Sequence, residues 1–180
     1  MPKAKLPTPK KGIIYNSVET ELGWIAFAVS HKGLLKTKFM FENKQMSYES
    51  ILSELPDITF DKNDILSKWK KFFIKYFKGQ VKEVSCVPID NKNWSTFQKK
   101  VYSKTIKVPF GKKFTYGHIA VLINNPKASR AIGLAMKNNP VAPIVPCHRV
   151  VGANNVHCGF SANGGIDLKL KMLEIERKNL

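Results

Sequence analysis

The chain has 180 residues, 43% of them hydrophobic, and a formal net charge of +17. Its length suits one domain or two small ones, and its apolar runs are too short to cross a membrane or to form the core of a signal peptide. The positive charge favours a polyanionic partner, most simply nucleic acid, with a basic surface that serves only solubility as the alternative. Three scattered cysteines are too few for a disulfide framework and favour a reduced, intracellular compartment.

The first half of the chain predicts a small sheet and two helices. Three apolar runs within residues 13–41, separated by turns that contain glycine, indicate antiparallel strands. Helices are expected over residues 47–55 and 63–78. The second helix has apolar residues at three- and four-residue steps, namely Ile65, Trp69, Phe72, Phe73 and Tyr76. Such a face is more typical of a core than of a ligand site. Residues 81–87 are expected to add another strand, and nothing in this half suggests catalysis.

The second half is expected to be mainly helical and begins after a polar segment at residues 90–93. Helical periodicity covers residues 94–106, 118–123, 127–137 and 167–177. The two middle helices are short and are joined by a tight turn. In a basic chain this arrangement suggests a helix-turn-helix, although any antiparallel helix pair has the same pattern.

These elements predict an α/β (α+β) protein with three parts. A flexible basic arm is expected over residues 1–12, an N-terminal α/β domain over 13–90 and a C-terminal domain over 91–180. The N-terminal domain holds the small antiparallel sheet, and the C-terminal domain carries the helix pair.

The segment Pro146–Val150 places a thiol beside an imidazole. A cysteine with an ordinary pKa of about 8.5 is mostly protonated near neutral pH, whereas the thiolate is the form that attacks carbon. A reactive cysteine therefore needs a base or a positive neighbour. His148 offers the base and Arg149 the positive charge.

Two alternatives apply to this pair. Cys147 could be a buried, inert cysteine that happens to precede a histidine. A zinc site could also form from four residues, Cys147, His148, His157 and Cys158. The adjacent pairs do not match the usual gaps of two to four residues between zinc ligands, which argues against a metal.

The second half resembles the O6-alkylguanine–DNA alkyltransferases, also called methylated-DNA–protein-cysteine methyltransferases. The blocks that carry the resemblance are, in chain order, Thr96–Gln98, Val108–Gly111, Thr115–Ala120, Pro126–Gly133, Asn139–Pro140, Ile144–Val151, Gly164–Gly165 and Lys169–Glu176. They span about half the chain, and Pro-Cys-His-Arg-Val is the most specific of them. The first half resembles the family only loosely, mainly in Glu21-Leu22-Gly23 and the strand after it.

The resemblance implies DNA repair without a metal or an organic cofactor. An alkyl group on O6 of guanine, or on O4 of thymine, would move irreversibly to Cys147 in a single turnover. His148 would take the thiol proton through a water, and a glutamate near the C-terminus would orient the imidazole. The spacing from Lys169 and the phase of the helix favour Glu176 over Glu174 for that glutamate.

The resemblance also implies that the C-terminal domain is a winged helix-turn-helix that enters the minor groove of double-stranded DNA as a monomer and flips the damaged base. Arg130 would fill the gap in the base stack, and Tyr116 would crowd the phosphate 3′ of the target. Small residues would let the second helix approach the groove floor: Ala128, Ser129, Ala131 and Gly133.

Six further positions are assigned to the substrate pocket by the resemblance: Met136, Asn139, Val150, Phe160, Ser161 and Lys169. Asn139 matches the asparagine that connects the recognition helix to the active-site segment in the family, and Ser161 would form a hydrogen bond near O6. Phe160 stands where the family usually has tyrosine, and Ala162-Asn163 looks like an insertion, so the size of the pocket stays open. Plain core packing is the alternative for Met136 and Val150.

Three other functions compete with this interpretation. An alkyltransferase-like protein would bind alkylguanine without repairing it, but such proteins replace the acceptor cysteine. A helix-turn-helix transcription factor would need polar residues that read bases, and residues 128–136 are too small and apolar. A cysteine hydrolase would need an oxyanion hole, for which there is no signature. The expected location is intracellular and DNA-associated, in the nucleus of a eukaryote or the cytoplasm of a prokaryote.

Overall fold

The structure is a computed structural model that describes residues 6–156, 162 and 164–180. The expectations for His157, Cys158, Phe160, Ser161 and Asn163, and for the first five residues of the basic arm, lie outside the described residues. The chain forms two compact units. Unit 1 runs to Val81 and includes Cys86–Asp90, and unit 2 consists of Lys82–Ser85 and Asn91–Leu180.

Unit 1 is a four-stranded sheet with two helices. Its elements in chain order are β1 (Ile13–Thr20), β2 (Gly23–Ser30), β3 (Gly33–Phe41), α1 (Lys44–Leu52), β4 (Thr59–Phe60) and α2 (Ser67–Phe77). The strand order is β3-β2-β1-β4, with β1–β2 and β2–β3 antiparallel and the short β4 parallel to β1. The sheet and both helices that were predicted for this half are therefore present.

The aromatic face of α2 is buried, as its spacing predicts. Trp69, Phe73 and Phe77 are almost completely buried, and the ring of Phe73 lies 5.0 Å from that of Phe27 on β2. Ile65, expected on this face, lies before the helix and is 39% exposed, because α2 begins only at Ser67. One part of the core of unit 1 thus forms between α2 and the sheet, and another forms where Ile51 of α1 packs with Tyr15 and Ala28 of the sheet.

The predicted strand at residues 81–87 is wrong. These residues adopt loop and turn conformations, and the pairing occurs further along, where Leu34 donates to Pro88 and accepts from Asp90, both at 2.9 Å. Gly33 permits this close approach, since a Cβ at Gly33 would lie 2.3 Å from the Pro88 backbone. The valine-rich segment before Pro88 therefore does not pair with a strand.

Unit 2 is mainly helical. Its elements are α3 (Thr96–Thr105), β5 (Phe114–Thr115), α4 (Tyr116–Leu122), α5 (Ser129–Lys137), a 3₁₀ turn (Cys147–Arg149), β6 (Val150–Val151), a second 3₁₀ turn (Ala153–Asn155) and α6 (Gly165–Lys178). All four predicted helices are present, with ends shifted by a few residues. A capping box begins α3, where Ser95 accepts from the Gln98 amide and Gln98 accepts from the Ser95 amide.

Two short strands connect the helix pair to the cysteine segment. β5 pairs in parallel with β6, with Phe114 opposite Val150 and Thr115 opposite Val151. β5 leads directly into α4, and β6 directly follows the 3₁₀ turn that contains Cys147. This pairing therefore fixes the start of the helix-turn-helix beside the cysteine. The expected α+β class is confirmed, and no helix among the described residues is long and apolar enough to span a membrane.

Candidate functional site

Cys147 begins the 3₁₀ turn and is only 5% exposed. The segment around it, residues 141–150, is buried throughout. Burial raises the pKa of the Cys147 thiol, because the charged thiolate loses its contact with water. Hydrogen bonds and a nearby positive charge act in the opposite direction without cancelling this effect. The thiol is therefore protonated near neutral pH, and its reaction needs a group that removes the proton.

Asn139 connects the end of α5 to the cysteine. Its Nδ2 donates to the Val145 carbonyl at 2.7 Å and to Cys147 Sγ at 3.2 Å, while its Oδ1 accepts from the Val141 amide at 3.1 Å. The bond to sulfur favours the thiolate and lowers the pKa of Cys147 against the effect of burial. Asn139 thus holds the cysteine segment against the end of the second helix of the pair.

His148 and Glu176 form a buried pair. His148 Nε2 lies 2.7 Å from Glu176 Oε1, although 28 residues separate them in the chain. α6 packs against the 3₁₀ turn and brings the glutamate to the imidazole. Glu174 lies on the exposed side of α6 and pairs with Lys178 instead. Glu176, and not Glu174, is therefore the carboxylate in contact with His148.

Glu176 accepts hydrogen bonds from three residues. Besides His148, the donors are Arg149, with Nε and Nη2 both 2.9 Å from Oε1, and the Gly111 amide, 2.9 Å from Oε2. Burial alone would raise the pKa of Glu176, but these donors and the charge of Arg149 lower it overall. Glu176 is therefore ionised at neutral pH.

Arg149 serves the carboxylate rather than the thiol. Its guanidinium is buried, donates to Glu176 and to the Val108 carbonyl at 2.7 Å, and lies 5.6 Å from the centre of the Phe110 ring. The expectation that Arg149 supplies the positive neighbour of Cys147 is not what the geometry shows. Its side chain points to α6, because a buried guanidinium needs an anionic partner.

The charge state of Glu176 decides the tautomer of His148. Burial lowers the pKa of His148, so the imidazole is neutral near pH 7. An ionised carboxylate only accepts hydrogen bonds, so Nε2 carries the ring proton and Nδ1 has the free lone pair. Nδ1 is a buried nitrogen with no hydrogen-bond partner among the described residues. The site therefore contains a neutral base with an oriented lone pair next to the thiol in the chain.

Lys169 supplies the positive charge for the thiol. This lysine is buried on α6, and its Nζ donates to the Val150 carbonyl at 2.7 Å. Its charge lowers the pKa of Cys147, second only to the Asn139 hydrogen bond among the effects that oppose burial. A buried ammonium that holds β6 thus also stabilises the thiolate.

Tyr102 was not singled out from the sequence, yet it ties α3 to α5. Burial raises the pKa of Tyr102 to about 12, so its hydroxyl stays protonated and donates to the Ala135 carbonyl at 2.7 Å. Trp94 packs against it, edge to face, at 4.8 Å. Ala135 lies in the last turn of α5, four residues before Asn139, so Tyr102 supports the helix end that holds the cysteine segment.

The helix pair presents a basic and apolar surface. Arg130, Ala131 and Lys137 are exposed on α5, and Leu134 is 59% exposed between them. The α5 segment contains no acidic residue. Tyr116 starts α4, and its ring lies close to Gly133 of α5, 4.0 Å from where a Cβ at Gly133 would be. This face can approach a polyanion closely.

The expected residues fall into three groups. Cys147, His148, Glu176, Asn139 and Lys169 meet at one site. Met136 and Val150 form a second group and are both buried. Their position is compatible with core packing and with the wall of a pocket. The other group lies on α4 and α5: Tyr116, Ser129, Arg130, Ala131 and Gly133, with Ala128 buried as the N-cap of α5.

Charge is concentrated in unit 2. Its sequence has 16 lysine and arginine residues and four acidic ones, and the carboxylate of Glu176 is engaged in the buried site. Among the described residues, no group of three or more histidine, cysteine or acidic side chains could hold a metal ion. The chemistry available to the described site is that of an activated thiol on a strongly basic unit.

Comparisons with known proteins agree with this chemistry. The family description "6-O-methylguanine DNA methyltransferase, DNA binding domain" matches residues 96–178. A methylated-DNA–protein-cysteine methyltransferase of Methanosarcina acetivorans is 37% identical over 164 residues, which cover 90% of this chain and 97% of the relative. A relative from Methanosarcina mazei with the same name is 34% identical and covers 92% of this chain and 98% of its own.

A solved structure is similar over nearly the whole chain. Mycobacterium tuberculosis OGT in complex with DNA has 30% sequence identity and a TM-score of 0.75, and the match covers 92% of this chain and 94% of that one. A structure from Pyrococcus kodakaraensis, at 24% identity and a TM-score of 0.69, shares the fold.

Proposed function

This chain belongs to the methylated-DNA–protein-cysteine methyltransferase family, and from that premise we propose that Cys147 is the residue that accepts the alkyl group. The activity is DNA repair by transfer of an alkyl group from DNA to a cysteine of the protein. One observation carries the assignment to Cys147. The residue next to this buried thiol, His148, has a free Nδ1 lone pair oriented by the ionised carboxylate of Glu176.

The proposed reaction balances without a cofactor. The proton of the Cys147 thiol moves to His148 Nδ1, and the imidazolium that forms is stabilised by Glu176 at 2.7 Å. The sulfur forms a bond to the alkyl carbon, the bond from that carbon to O6 breaks, and its electron pair leaves with the guanine. The guanine takes up one proton. The thioether that remains on Cys147 has no route back to a thiol, so each molecule reacts once.

Lys169 and Asn139 favour the thiolate in this scheme. Asn139 donates to the sulfur at 3.2 Å, and the Lys169 ammonium is held nearby by the Val150 carbonyl. Both oppose the rise in pKa that burial imposes on Cys147. A thiol that reacts inside the protein needs such support because water cannot solvate the developing charge.

We further propose that the substrate is double-stranded DNA with O6-alkylguanine or O4-alkylthymine, bound through the minor groove by α5. A base inside a duplex cannot reach a buried thiol, so it must be flipped out of the stack. Arg130 is exposed at the start of α5 and can occupy the gap, and Tyr116 lies alongside on α4. The protein would act as a monomer on DNA inside the cell, in the nucleus of a eukaryote or the cytoplasm of a prokaryote.

A protein that only binds alkylguanine is not favoured, because such a protein has no use for an acceptor thiol with an oriented base. The family members with which this chain aligns over nearly its full length are named as methyltransferases.

Intact mass spectrometry tests the proposal. One equivalent of duplex with O6-methylguanine should add a single methyl group, about 14 Da, located on Cys147 by peptide mapping, and a second equivalent should add nothing. Cys86→Ala, which removes an exposed cysteine of unit 1, should react like the wild type, and Cys147→Ala should bind DNA without reacting. Methyl on Cys86 in the wild type would contradict the assignment.

A further inference from the structure

Four lysines form a continuous stripe on the outer face of α2, in the unit that the proposed reaction does not use. Lys68, Lys71, Lys75 and Lys78 are all exposed. Their spacing of three, four and three residues places them within about 80° of the helix circumference. We call these four residues the α2 lysine stripe. The helix Ser67–Phe77 contains no acidic residue at all.

The described residues give the stripe no salt bridge, whereas Lys70 on the same helix and two lysines of β3 have one. Among the described residues, no carboxylate lies within salt-bridge distance of any member of the stripe. In the same unit, Lys70 pairs with Asp64, and Lys36 and Lys38 share Glu54. Within α2, the described residues therefore compensate the charge of Lys70 and leave the charge of the stripe uncompensated.

The helix does not need these charges in order to form. Like charges three or four residues apart destabilise a helix, and a lysine in the first turn, such as Lys68, opposes the helix dipole. α6 shows the opposite pattern, with Asp167 in its first turn and Glu174 paired with Lys178. α2 forms in spite of its charges because its other face buries Trp69 and Phe73. Lys75 and Lys78 lie at the C-terminal end, where they favour the helix dipole, so at most two members of the stripe help the helix to form.

We propose that the α2 lysine stripe binds a nucleic-acid phosphate backbone, as a second contact surface besides α5. The ten residue steps from Lys68 to Lys78 span about 15 Å along the helix axis. One strand of a duplex presents a phosphate every 3.4 Å or so along its axis, so about four phosphates fall within this length. Lysine acts as a flexible point charge that suits phosphate in any sequence. The inference adds a role for unit 1 and rests on the proposed function only in taking DNA as the polyanion.

A charge-matched pair of variants tests the proposal. The stripe variant is Lys68→Gln, Lys71→Gln, Lys75→Gln and Lys78→Gln together. The control removes four exposed lysines elsewhere in unit 1, namely Lys10→Gln, Lys11→Gln, Lys32→Gln and Lys62→Gln. Both variants lose the same net charge. Glutamine has nearly the helix propensity of lysine, and the repulsion that is removed offsets the loss of Lys75 and Lys78 from the C-terminal end of the helix dipole. The stripe variant should therefore unfold at about the same temperature as the wild type.

Affinity for unmodified duplex is then measured at several salt concentrations. Each lost phosphate contact lowers the slope of log affinity against log salt by about 0.9, so the slope of the stripe variant should fall by about 3 to 4 and that of the control by less than about 1. The affinity of the stripe variant for DNA at low salt should drop at least about tenfold more than that of the control variant. Equal losses of salt slope and affinity in both variants would show that the stripe is only a solvated face, and would overturn the proposal. The proposal would also fail if the stripe variant lost binding to an acidic protein and kept its affinity for DNA.

Duplex length distinguishes the two sources of phosphate. If the stripe contacts the flank of the repaired duplex, the difference between the variants appears on about 30 base pairs and disappears on about 12. If it holds a second duplex, the difference persists on the short DNA and the wild type forms complexes with two duplexes. Methyl transfer to Cys147 at saturating DNA should be equal in all three proteins. If the wild type transfers no methyl group to Cys147, the proposed function is refuted. The salt slopes would still show whether the stripe binds DNA.

Discussion

Glu176 is the residue whose replacement tests the site most sharply. Its two carboxylate oxygens accept from His148, from two nitrogens of Arg149 and from the Gly111 amide. Glutamine has almost the same shape but no charge, and it offers one acceptor oxygen in place of two. Glu176→Gln therefore removes the carboxylate that Arg149 binds and the negative charge that stabilises the protonated form of His148.

The structure sets the size of both effects. Removing one partner from a buried ion pair costs about 3–5 kcal/mol, and a domain has a net stability of about 5–15 kcal/mol, so the variant should fold with a clearly lower midpoint in urea. Transfer should slow by about 100-fold or more, since proton transfer by a positioned base contributes about 10²–10⁴-fold. The rate is measured with free O6-benzylguanine, which needs no base flipping.

Two further variants separate chemistry from folding. Glu174→Gln changes an exposed residue on the same helix and should leave both stability and rate unchanged. Arg149→Met combined with Glu176→Gln removes the unpaired buried charge, so it should recover part of the stability while transfer stays slow. The reasoning fails if Glu176→Gln keeps the wild-type rate, if Glu174→Gln is equally slow, or if the double variant regains its rate together with its stability.

Three other predictions follow from the same contacts. Arg130→Ala should raise the activation free energy of repair in duplex DNA by a few kcal/mol at most, and should leave the rate with free O6-benzylguanine unchanged. An equal loss of rate on both substrates would place Arg130 in the active site. Lys169→Met removes the charge that lowers the pKa of Cys147, so the pH profile of the free-base reaction should move to higher pH, and an unmoved profile would refute this role. The lowered pKa of His148 means that the unfolded chain binds its proton more readily, so stability should fall as pH drops below about 6.5. In urea titrations His148→Gln should weaken this dependence, and an unchanged slope would contradict a buried neutral imidazole.

Local pattern was sufficient for the helices and for the long strands. The aromatic face of α2 follows from a period close to 3.6, and burial of Trp69 and Phe73 against the sheet is its direct consequence. The start of α3 is set by Ser95 and Gln98, because each side chain accepts a hydrogen bond from the backbone amide of the other. The reactive segment was visible for the same reason, because Cys147 and His148 are adjacent.

Contacts between distant residues were decided only by the folded chain. β5 and β6 have two residues each, which is too short for any period, and they exist because Phe114 and Val150 are brought side by side. The valine-rich segment of residues 81–87 predicted a strand, but the chain pairs with Leu34 only from Pro88 onward. Periodicity measures which residues avoid water, and it does not identify the neighbour that supplies the hydrogen bonds.

Arg149 shows the same limit within the site. From the sequence it is a positive charge two residues from Cys147, and it was assigned to the thiol. In the folded protein it binds Glu176, 27 residues away, and Lys169 from α6 provides the charge for the thiol instead. The sequence by itself singled out Cys147 and His148, because these two residues are adjacent in the chain. The tertiary structure decided which charge serves which group, because a buried charge is stabilised by whichever opposite charge the packing of α6 brings within hydrogen-bond distance.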